Sequence, residues 1–510
     1  MRGFSGVIKL AISAIFFVCT VTFAEIPLPL PNILQNEFYE KQHSKLAALP
    51  MPMSGSPTAK LIRQKMPKLT LRDAIFLEIR NNPDVRNAEL DRVTQKFALA
   101  VAHNEFEPTY TFGGDATFAP GSYPVWGLDP TVSIKTPLGT QLKTTLNNDI
   151  NAGHETSATL QVTQPLLKGL GSDVVLAALH DAEDAERINE LALKSTLMSN
   201  VSTIVTNYYN VVQAYLYYDV IKQQLKQAKK EYDNSKLRVQ VGKLAASQLI
   251  QEQSSLSSQQ LSLATQENTI EQNYQTLLTS LGLDPRAKLT VDKAIDDSNM
   301  NIPLIKKSID IALANDTTYR TDILNIKIDH RAILTAKDAL KPQLDLVATE
   351  THVLSSSGNF IDSSGVITDL QNPGARSLKF TLSVPLDDRK LQQTLITSKI
   401  NLAKAKITLA KDRRALITTI INDIRNLKSQ KEQIKLAEET VKYSQQVYNN
   451  DKLRYQYGKL DSFQLTTDQE TLITNKQNLI TERVSYITQY ATFLKDTGTT
   501  LEFWEIKVRY

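Results

Sequence analysis

Residues able to do covalent chemistry are scarce in this chain and poorly placed for it. The histidines (His43, His103, His154, His180, His330 and His352) stand far apart, with no helical spacing that would put two ligands on one metal. The one cysteine, Cys19, lies in an N-terminal leader, so the mature chain is expected to have no thiol for a nucleophile, a disulfide or a metal site. No Gly-rich phosphate loop, nucleophile elbow or zinc-protease helix is present. Asp and Glu are spread along helical patterns as solvated faces, without an acid–base couple. The expectation is therefore no enzyme, no cofactor and no bound metal. What remains is hydrogen bonding and charge gathered at two matched turns. Lys236–Leu256 reads KLRVQVGKLAASQLIQEQSSL and Lys452–Leu472 reads KLRYQYGKLDSFQLTTDQETL, about half identical without a gap at a constant offset of 216, Gly242 to Gly458. So long an offset points to duplication of a whole subdomain rather than a short solenoid repeat.

Long helical patterns must hold these turns. Residues 173–241 and 389–457 keep helical periodicity without proline or glycine. Unbroken, each would reach roughly 100 Å at 1.5 Å per residue. Return helices are expected over 247–281 and 463–497, stopped by Gly282 and Gly498. Each copy reads as a helical hairpin, and such lengths need neighbours along their whole extent. Their Gln, Thr, Ser and Asn content gives broad polar faces, which suits elements wetted on more than one side.

Upstream of each hairpin a second repeat recurs with an offset of 234, Pro108 to Pro342. A capped helix starts at Thr70, breaks at Asn81-Asn82-Pro83 and resumes to about Glu105; Ser308–Leu340 returns the same block. After each proline the period changes from 3.6 to 2. Tyr110, Phe112, Ala116 and Phe118 alternate with Thr111, Gly113, Asp115 and Thr117; Ala158, Leu160 and Val162 oppose Thr159, Gln161 and Thr163. Leu344, Leu346 and Ala348, then Leu378, Phe380, Leu382 and Val384, repeat the alternation in the second copy. These are half-buried strands. Pro120–Pro130 and Ser355–Gly374 have loop composition, with an extra hairpin conceivable around Pro137-Leu138-Gly139. The final Trp504, Ile506, Val508 and Tyr510 alternate like a short strand, for packing or for outer-membrane targeting.

The formal charge of +4, or +2 without Arg2 and Lys9, and the scatter of Lys and Arg argue against a nucleic-acid partner. Met1–Ala24 has the charged start, apolar centre and small-residue end of a cleaved signal peptide. A lipoprotein anchor at Cys19 would want a small residue where Val18 stands. No other stretch offers roughly 18 uninterrupted apolar residues, so membrane entry would have to be as a barrel. Residues 25–68 form a Pro-rich extension, 69–287 a first structural repeat (strands about 109–165, hairpin 173–281) and 288–510 a second (strands about 343–385, hairpin 389–497, tail 499–510).

Together these features resemble the TolC-like outer-membrane efflux and secretion channels, the outer membrane efflux protein family. The likeness covers the chain from Leu69 onward. It rests on the duplicated helix–strand–helix plan, on Val162-Thr163-Gln164-Pro165-Leu166-Leu167-Lys168-Gly169 as a strand-to-helix junction with Val384-Pro385-Leu386 as its counterpart, and on the paired turns. It implies an α+β membrane protein that is a homotrimer. Each chain would give four strands to one trans-subunit antiparallel β-barrel, and its helices to an α-helical barrel crossing the periplasm. Tyr110, Phe112, Phe118, Tyr123, Trp126 and Phe380 would then meet outer-membrane lipid, the alternative being the aromatic core of a soluble sheet.

The resemblance makes the turns the constricted periplasmic end, with Val241, Gly242 and Lys243, and Tyr457, Gly458 and Lys459, docking a periplasmic adaptor. Tyr455 matches a tyrosine that helps hold the family's tip closed, Ser247 a threonine of that polar network, and Arg483 an arginine farther up the return helix. The pattern then departs. Leu460 stands where a basic residue is expected, Gln248 where an acid is, and Gln464 and Thr467 where a member can carry pore aspartates. Asp461 and Asp468 could supply charge from adjacent positions, whereas a ring of Leu460 or Phe463 would gate by bulk and dewetting. The function implied is an outer-membrane exit duct, passively conducting cargo delivered by an inner-membrane pump of an efflux or type I secretion system. The alternative is a periplasmic structural coiled coil, or an adaptor, without its own pore. The alternating strands speak against the first and the two duplicated hairpins against the second.

Overall fold

The computed structural model describes residues 68–118, 125–150, 156–242, 245–295, 300–355, 375–386 and 388–508. The leader and the Pro-rich extension up to residue 67 lie outside the described residues, as do Tyr123, Lys243, Tyr510 and most of the Ser355–Gly374 segment.

A two-residue strand β1 (Lys68–Leu69) leads into helix α1 (Leu71–Asn81). Its capping box is built by Thr70, whose Oγ1 accepts from the Asp73 amide at 3.2 Å while the Asp73 carboxylate accepts from the Thr70 amide at 3.3 Å. Helix α2 (Pro83–Asn104) starts on proline, with the Asn82 side chain accepting from the Asp84 amide at 2.7 Å. Four strands follow: β2 (Thr109–Thr117), β3 (Val125–Lys135), β4 (Gln141–Ile150) and β5 (Thr156–Pro165). A short helix α3 (Ser172–Val175) precedes α4 (Ala177–Gln240), which turns at Gly242 into α5 (Ala246–Ser280). The second repeat comprises β6 (Thr290–Val291), α6 (Ile305–Asn315), α7 (Thr317–Ala339), β7 (Gln343–Ser355), β8 (Ala375–Ser383), α8 (Arg389–Gln456), α9 (Ser462–Asp496) and α10 (Thr500–Phe503).

Strands β2-β3-β4-β5-β7-β8 form one antiparallel sheet, joined across the two repeats by β5 and β7. Among the described residues the sheet of one chain thus has six strands, where the resemblance implies four. The conceivable hairpin at Pro137-Leu138-Gly139 is a full pair of ladder strands. Much of the Pro120–Pro130 segment read as loop is the start of β3. Pro130 is tolerated there because the β3–β4 pairing skips Asp129 and Pro130, where no amide is needed.

The register sorts side chains by face. Thr111, Thr131, Thr145, Thr159 and Thr351 lie in one row, and Thr109, Ser133, Lys143, Gln161, Thr349 and Ser377 in the next. Neighbouring hydroxyls bond along the first row, Thr131 to Thr145 and Thr159 to Thr351, both at 3.2 Å. The opposite face carries the row Ile134, Leu142, Val162, Ala348, Leu378, flanked by Leu346 and Phe380. That apolar face ends distally on β7 and β8 at an ionic cluster, where Glu350 accepts from Arg376 at 2.9 Å and meets His352 at 3.0 Å.

Both long helices are present, but the first is shorter than its periodicity suggests. It breaks at Leu176, and α4 proper spans 64 residues against 68 in α8. The break lies beside the β3–β4 turn, where Gly139 packs closely against Pro165, Gly169 and Val175. Among the described residues the second repeat has no such turn, and α8 starts on an Asp388 cap that accepts from the Leu391 amide at 3.1 Å.

The main core lies around the middle of the rods. Leu193–Val212 of α4, Ile420–Leu427 of α8 and Val484–Leu494 of α9 enclose α1, the β1–β6 pair and the end of α5. Tyr208 is 2% exposed and donates to the carbonyls of Leu69 and Asp292, tying the two-stranded ribbon to the helices. Gly282 and Gly498 show the same device in each copy. Both have φ near +70°, and a Cβ would stand 2.5 Å and 2.7 Å from the last carbonyls of α1 and α6. Ion pairs fasten the shorter helices to α4. Arg92, 1% exposed, grips Glu186 with both guanidinium nitrogens, and Arg331 reaches Asp181 and Asp184 at 2.6 Å each. The chain end is no strand among the described residues: after α10, Glu505 turns at φ 57° and Ile506 enters the core.

Candidate functional site at the helical tip

The two turns are near copies. Val241 and Tyr457 close the rods, and Gly242 and Gly458 follow with φ of 69° in both, donating to Val239 and Tyr455 carbonyls at 3.0 Å. Lys459 continues the second as a Schellman cap, its amide reaching Arg454 at 2.9 Å. Val241, Tyr457, Gly458 and Lys459 are exposed. The helix starts beyond the turns differ. Asp461 caps α9, its carboxylate accepting from the Gln464 amide at 2.8 Å, whereas Ala245 at the same place before α5 supplies no side-chain cap.

Tyr455 points across to the first hairpin. Its hydroxyl lies 3.3 Å from the buried Ser235 Oγ, and the Arg238 guanidinium sits 5.7 Å from its ring centroid. One helical heptad earlier, Tyr448 is 2% exposed and donates to Gln227 at 2.9 Å and Glu231 at 3.3 Å. Lys452 joins them, 3.3 Å from both Glu231 and the Tyr448 hydroxyl. Tyr448 packs on Leu465 and Leu472, with Tyr455 and Leu460 leaning on the cluster. A cleft of about 610 Å³ lies here between the ends of α4 and α8, lined by Glu231, Ser235, Arg238, Lys452 and Tyr455 among others. The tip is therefore clasped by phenol–carboxylate and cation–π contacts between hairpins.

Other predicted residues fall elsewhere. Ser247 is exposed and Gln248 half-buried, and within one chain neither meets Tyr455, whose hydroxyl is taken by Ser235. Arg483 pairs with Glu438 at 2.6 Å, about 21 residues into α9 and so roughly 30 Å from the turn. Leu460 is drawn onto the apolar cluster, leaving Phe463, 65% exposed, as the free bulky side chain. Gln464 donates to Asp468 at 2.9 Å. Tyr110, Phe112, Phe118, Trp126 and Phe380 are all at least half exposed, with Phe118 and Trp126 edge to face at the distal end of the β2–β3 hairpin.

Sequence reasoning named Asp468 but missed Glu231 and Glu252, the carboxylates behind the clasp. Glu252 on α5 is 5% exposed and faces Glu231; burial first, then that neighbouring charge, push its pKa from 4.5 to about 7. Asp468, its counterpart at the 216 offset, is also raised, by burial and by the facing Asp451, against the Gln464 amide. That shared offset was the available signal. Because the folded Glu252 holds its proton more tightly than the unfolded one, its stabilisation is complete below pH 4.5 and lost as pH rises through about 7. Glu252→Gln is expected to flatten that dependence, giving tip amides equal hydrogen-exchange protection at pH 5 and pH 8 while the parent loses protection.

Among the described residues no group of three His, Cys, Asp or Glu is placed to hold a metal ion, and no helix is long and apolar enough to cross a membrane. The family model described as outer membrane efflux protein matches residues 127–283 and 309–499, spanning both hairpins and most of the sheet. The chain belongs to that family. Comparison with curated proteins finds no match. Among solved structures, the fold is similar to the channel protein CusC (TM-score 0.64, 14% identity, 86% of this chain and 95% of that one). It is also similar to the CmeC outer membrane channel of Campylobacter jejuni (0.63, 14%, 88% and 94%) and to the outer membrane protein VceC of Vibrio cholerae (0.62, 13%, 84% and 96%). As an outer membrane efflux protein, the chain is an outer-membrane exit duct reaching into the periplasm, rather than a poreless coiled coil or an adaptor. The family is one of transport channels, whose members act as trimers with periplasmic adaptors and inner-membrane pumps.

Proposed function

We propose that this duct is a homotrimer whose sheets pool into one barrel in the outer membrane, with the apolar rows facing lipid and the threonine rows facing a water-filled lumen. The carrying observation is the two-faced sheet, whose polar rows run unbroken through strands of both repeats. Tyr110 and Phe118 are eight residues apart on one face, roughly 27 Å along the strand, which suits aromatics near the two boundaries of the bilayer. The helices continue the lumen inward. The tip at Tyr455, Gly242 and Gly458 is its gate and the docking place of an adaptor that links it to an inner-membrane pump; the two repeats act as matched halves. Conduction is passive and needs no catalytic group.

Two measurements test this reading. The mature protein should be extracted from outer membranes only with detergent, as a trimer; a water-soluble monomer would sink it. Tyr455→Phe removes the hydroxyl that meets Ser235 and keeps the ring beneath Arg238. It should raise single-channel conductance in planar bilayers by loosening the tip. A conductance equal to the parent's, with equal antibiotic uptake, would remove Tyr455 from the gate.

A further inference from the structure

Among the described residues the sheet has two unpaired edges, β2 and β8, each of nine residues. Strand β2 leaves the helices just after α2 and β8 returns to them just before α8, so the edges run in opposite directions. Six strands are too few to close alone, since membrane barrels begin at about eight. Left open in lipid, each edge would expose every second backbone N–H and C=O, at several kcal/mol per group. The occupant best suited to edge β8 is edge β2 of another copy. It has the matching length and the antiparallel direction, and on both strands apolar residues alternate with polar ones (Tyr110 and Phe112; Leu378, Phe380 and Leu382).

The hairpin β3–β4 is what departs from two strands per repeat. It is no flap over the sheet. Strand β3 pairs with β2 and β4 along nearly its full length, and β4 pairs with β5. Its residues keep the face rule of their neighbours: Val132, Ile134, Leu142 and Leu146 on the apolar side, Thr131, Ser133, Lys143 and Thr145 on the polar side. In the second repeat β7 pairs directly with β8, so among the described residues no corresponding hairpin enters the sheet there.

Resting on the trimer reading above, we propose that β8 of each copy pairs with β2 of the next and that all six strands enter the wall, closing an 18-stranded barrel. Barrel diameter grows about linearly with strand number, so the bore is about 1.5 times that given by four strands per chain, with about twice the cross-section. At this size a barrel leaves an open aqueous channel rather than a side-chain-filled core. The lining is mostly hydroxyl and amide, three copies of each threonine row, with Lys135, Lys143 and Lys379 as cations and Asp115, Asp129 and Asp345 as anions on that face. Such a wall suits bulky hydrated cargo and leaves size selection to the helical tip.

Single cysteines in a Cys19→Ser background, labelled with a fluorophore and placed in vesicles containing nitroxide lipid, test the wall. Val132→Cys and Leu146→Cys should be quenched as strongly as Phe112→Cys and Leu378→Cys, while Thr131→Cys and Thr145→Cys should respond only to an aqueous quencher. Quenching of Phe112 and Leu378 positions without Val132 and Leu146 places the hairpin outside the barrel: this inference then fails and the duct stands. Quenching at none of the four overturns both. Phe112→Cys combined in one chain with Leu378→Cys, Phe380→Cys or Leu382→Cys reports the seam. At one of these registers oxidation should link three chains in a closed ring; products that stop at two chains overturn the 18-stranded closure.

Discussion

Leu346→Arg is expected to abolish assembly in the outer membrane, whereas Thr349→Arg, three residues along the same strand, is expected to assemble. Leu346 lies near the middle of the β7–β8 ladder on the apolar face, beside Phe380 of β8. An arginine there would have to leave water for hydrocarbon, at about 2–4 kcal/mol per chain near the bilayer midplane, and three chains would each bear it. Thr349 lies on the polar face in the row of Ser133, Lys143 and Gln161. An arginine at that position stays in a hydrated lumen and costs little. Urea titration of folding into lipid vesicles, read by trimer mobility without heating, gives the comparison. Equal folding of the two variants would mean that the sheet faces have been assigned wrongly.

Arg92→Ala should be the most damaging single change in the helical body, by about 3–5 kcal/mol. Arg92 is almost wholly buried and offers two nitrogens to Glu186, whose side chain is itself only 12% exposed. Truncation strands that carboxylate between α2 and α4, without a counter-charge and with little water. The double change Arg92→Met with Glu186→Leu removes both charges and should recover most of the loss, because an apolar pair of similar volume avoids the desolvation. Thermal unfolding of the detergent-solubilised protein, followed by helical circular dichroism, should order the three proteins as parent, double variant, single variant. A single variant as stable as the parent would show that Glu186 finds water or another partner.

Elements set by local periodicity were legible before the structure. The rods, the Gly-stopped return helices, the Thr70 cap and the strands after Pro108 and Pro342 each carry their own signal within a dozen residues. Strand β3 did not, because its Gly127, Asp129 and Pro130 read as loop, and only the interrupted ladder with β4 makes proline acceptable there. The break at Leu176 was equally hidden, since it accompanies the packing of a turn more than thirty residues upstream, at Gly139. At the tip, sequence placed Tyr455 and the turns but not Ser235, Gln227 or Glu231. These meet their partners across more than 200 residues, and no local pattern encodes which face of α4 greets α8.

The unequal helix starts at the tip carry a consequence for assembly stoichiometry. The second hairpin re-enters its helix on a capped aspartate and a small apolar knot of Tyr448, Leu465 and Leu472, while the first re-enters on Ala245 with neither. In a three-chain ring the rim would alternate stiff and yielding sockets. A partner tolerant of both could seat six copies; a fastidious one would fill three and leave the softer sites vacant. Counting adaptors per duct would therefore read out a difference written in one missing cap and one missing apolar knot.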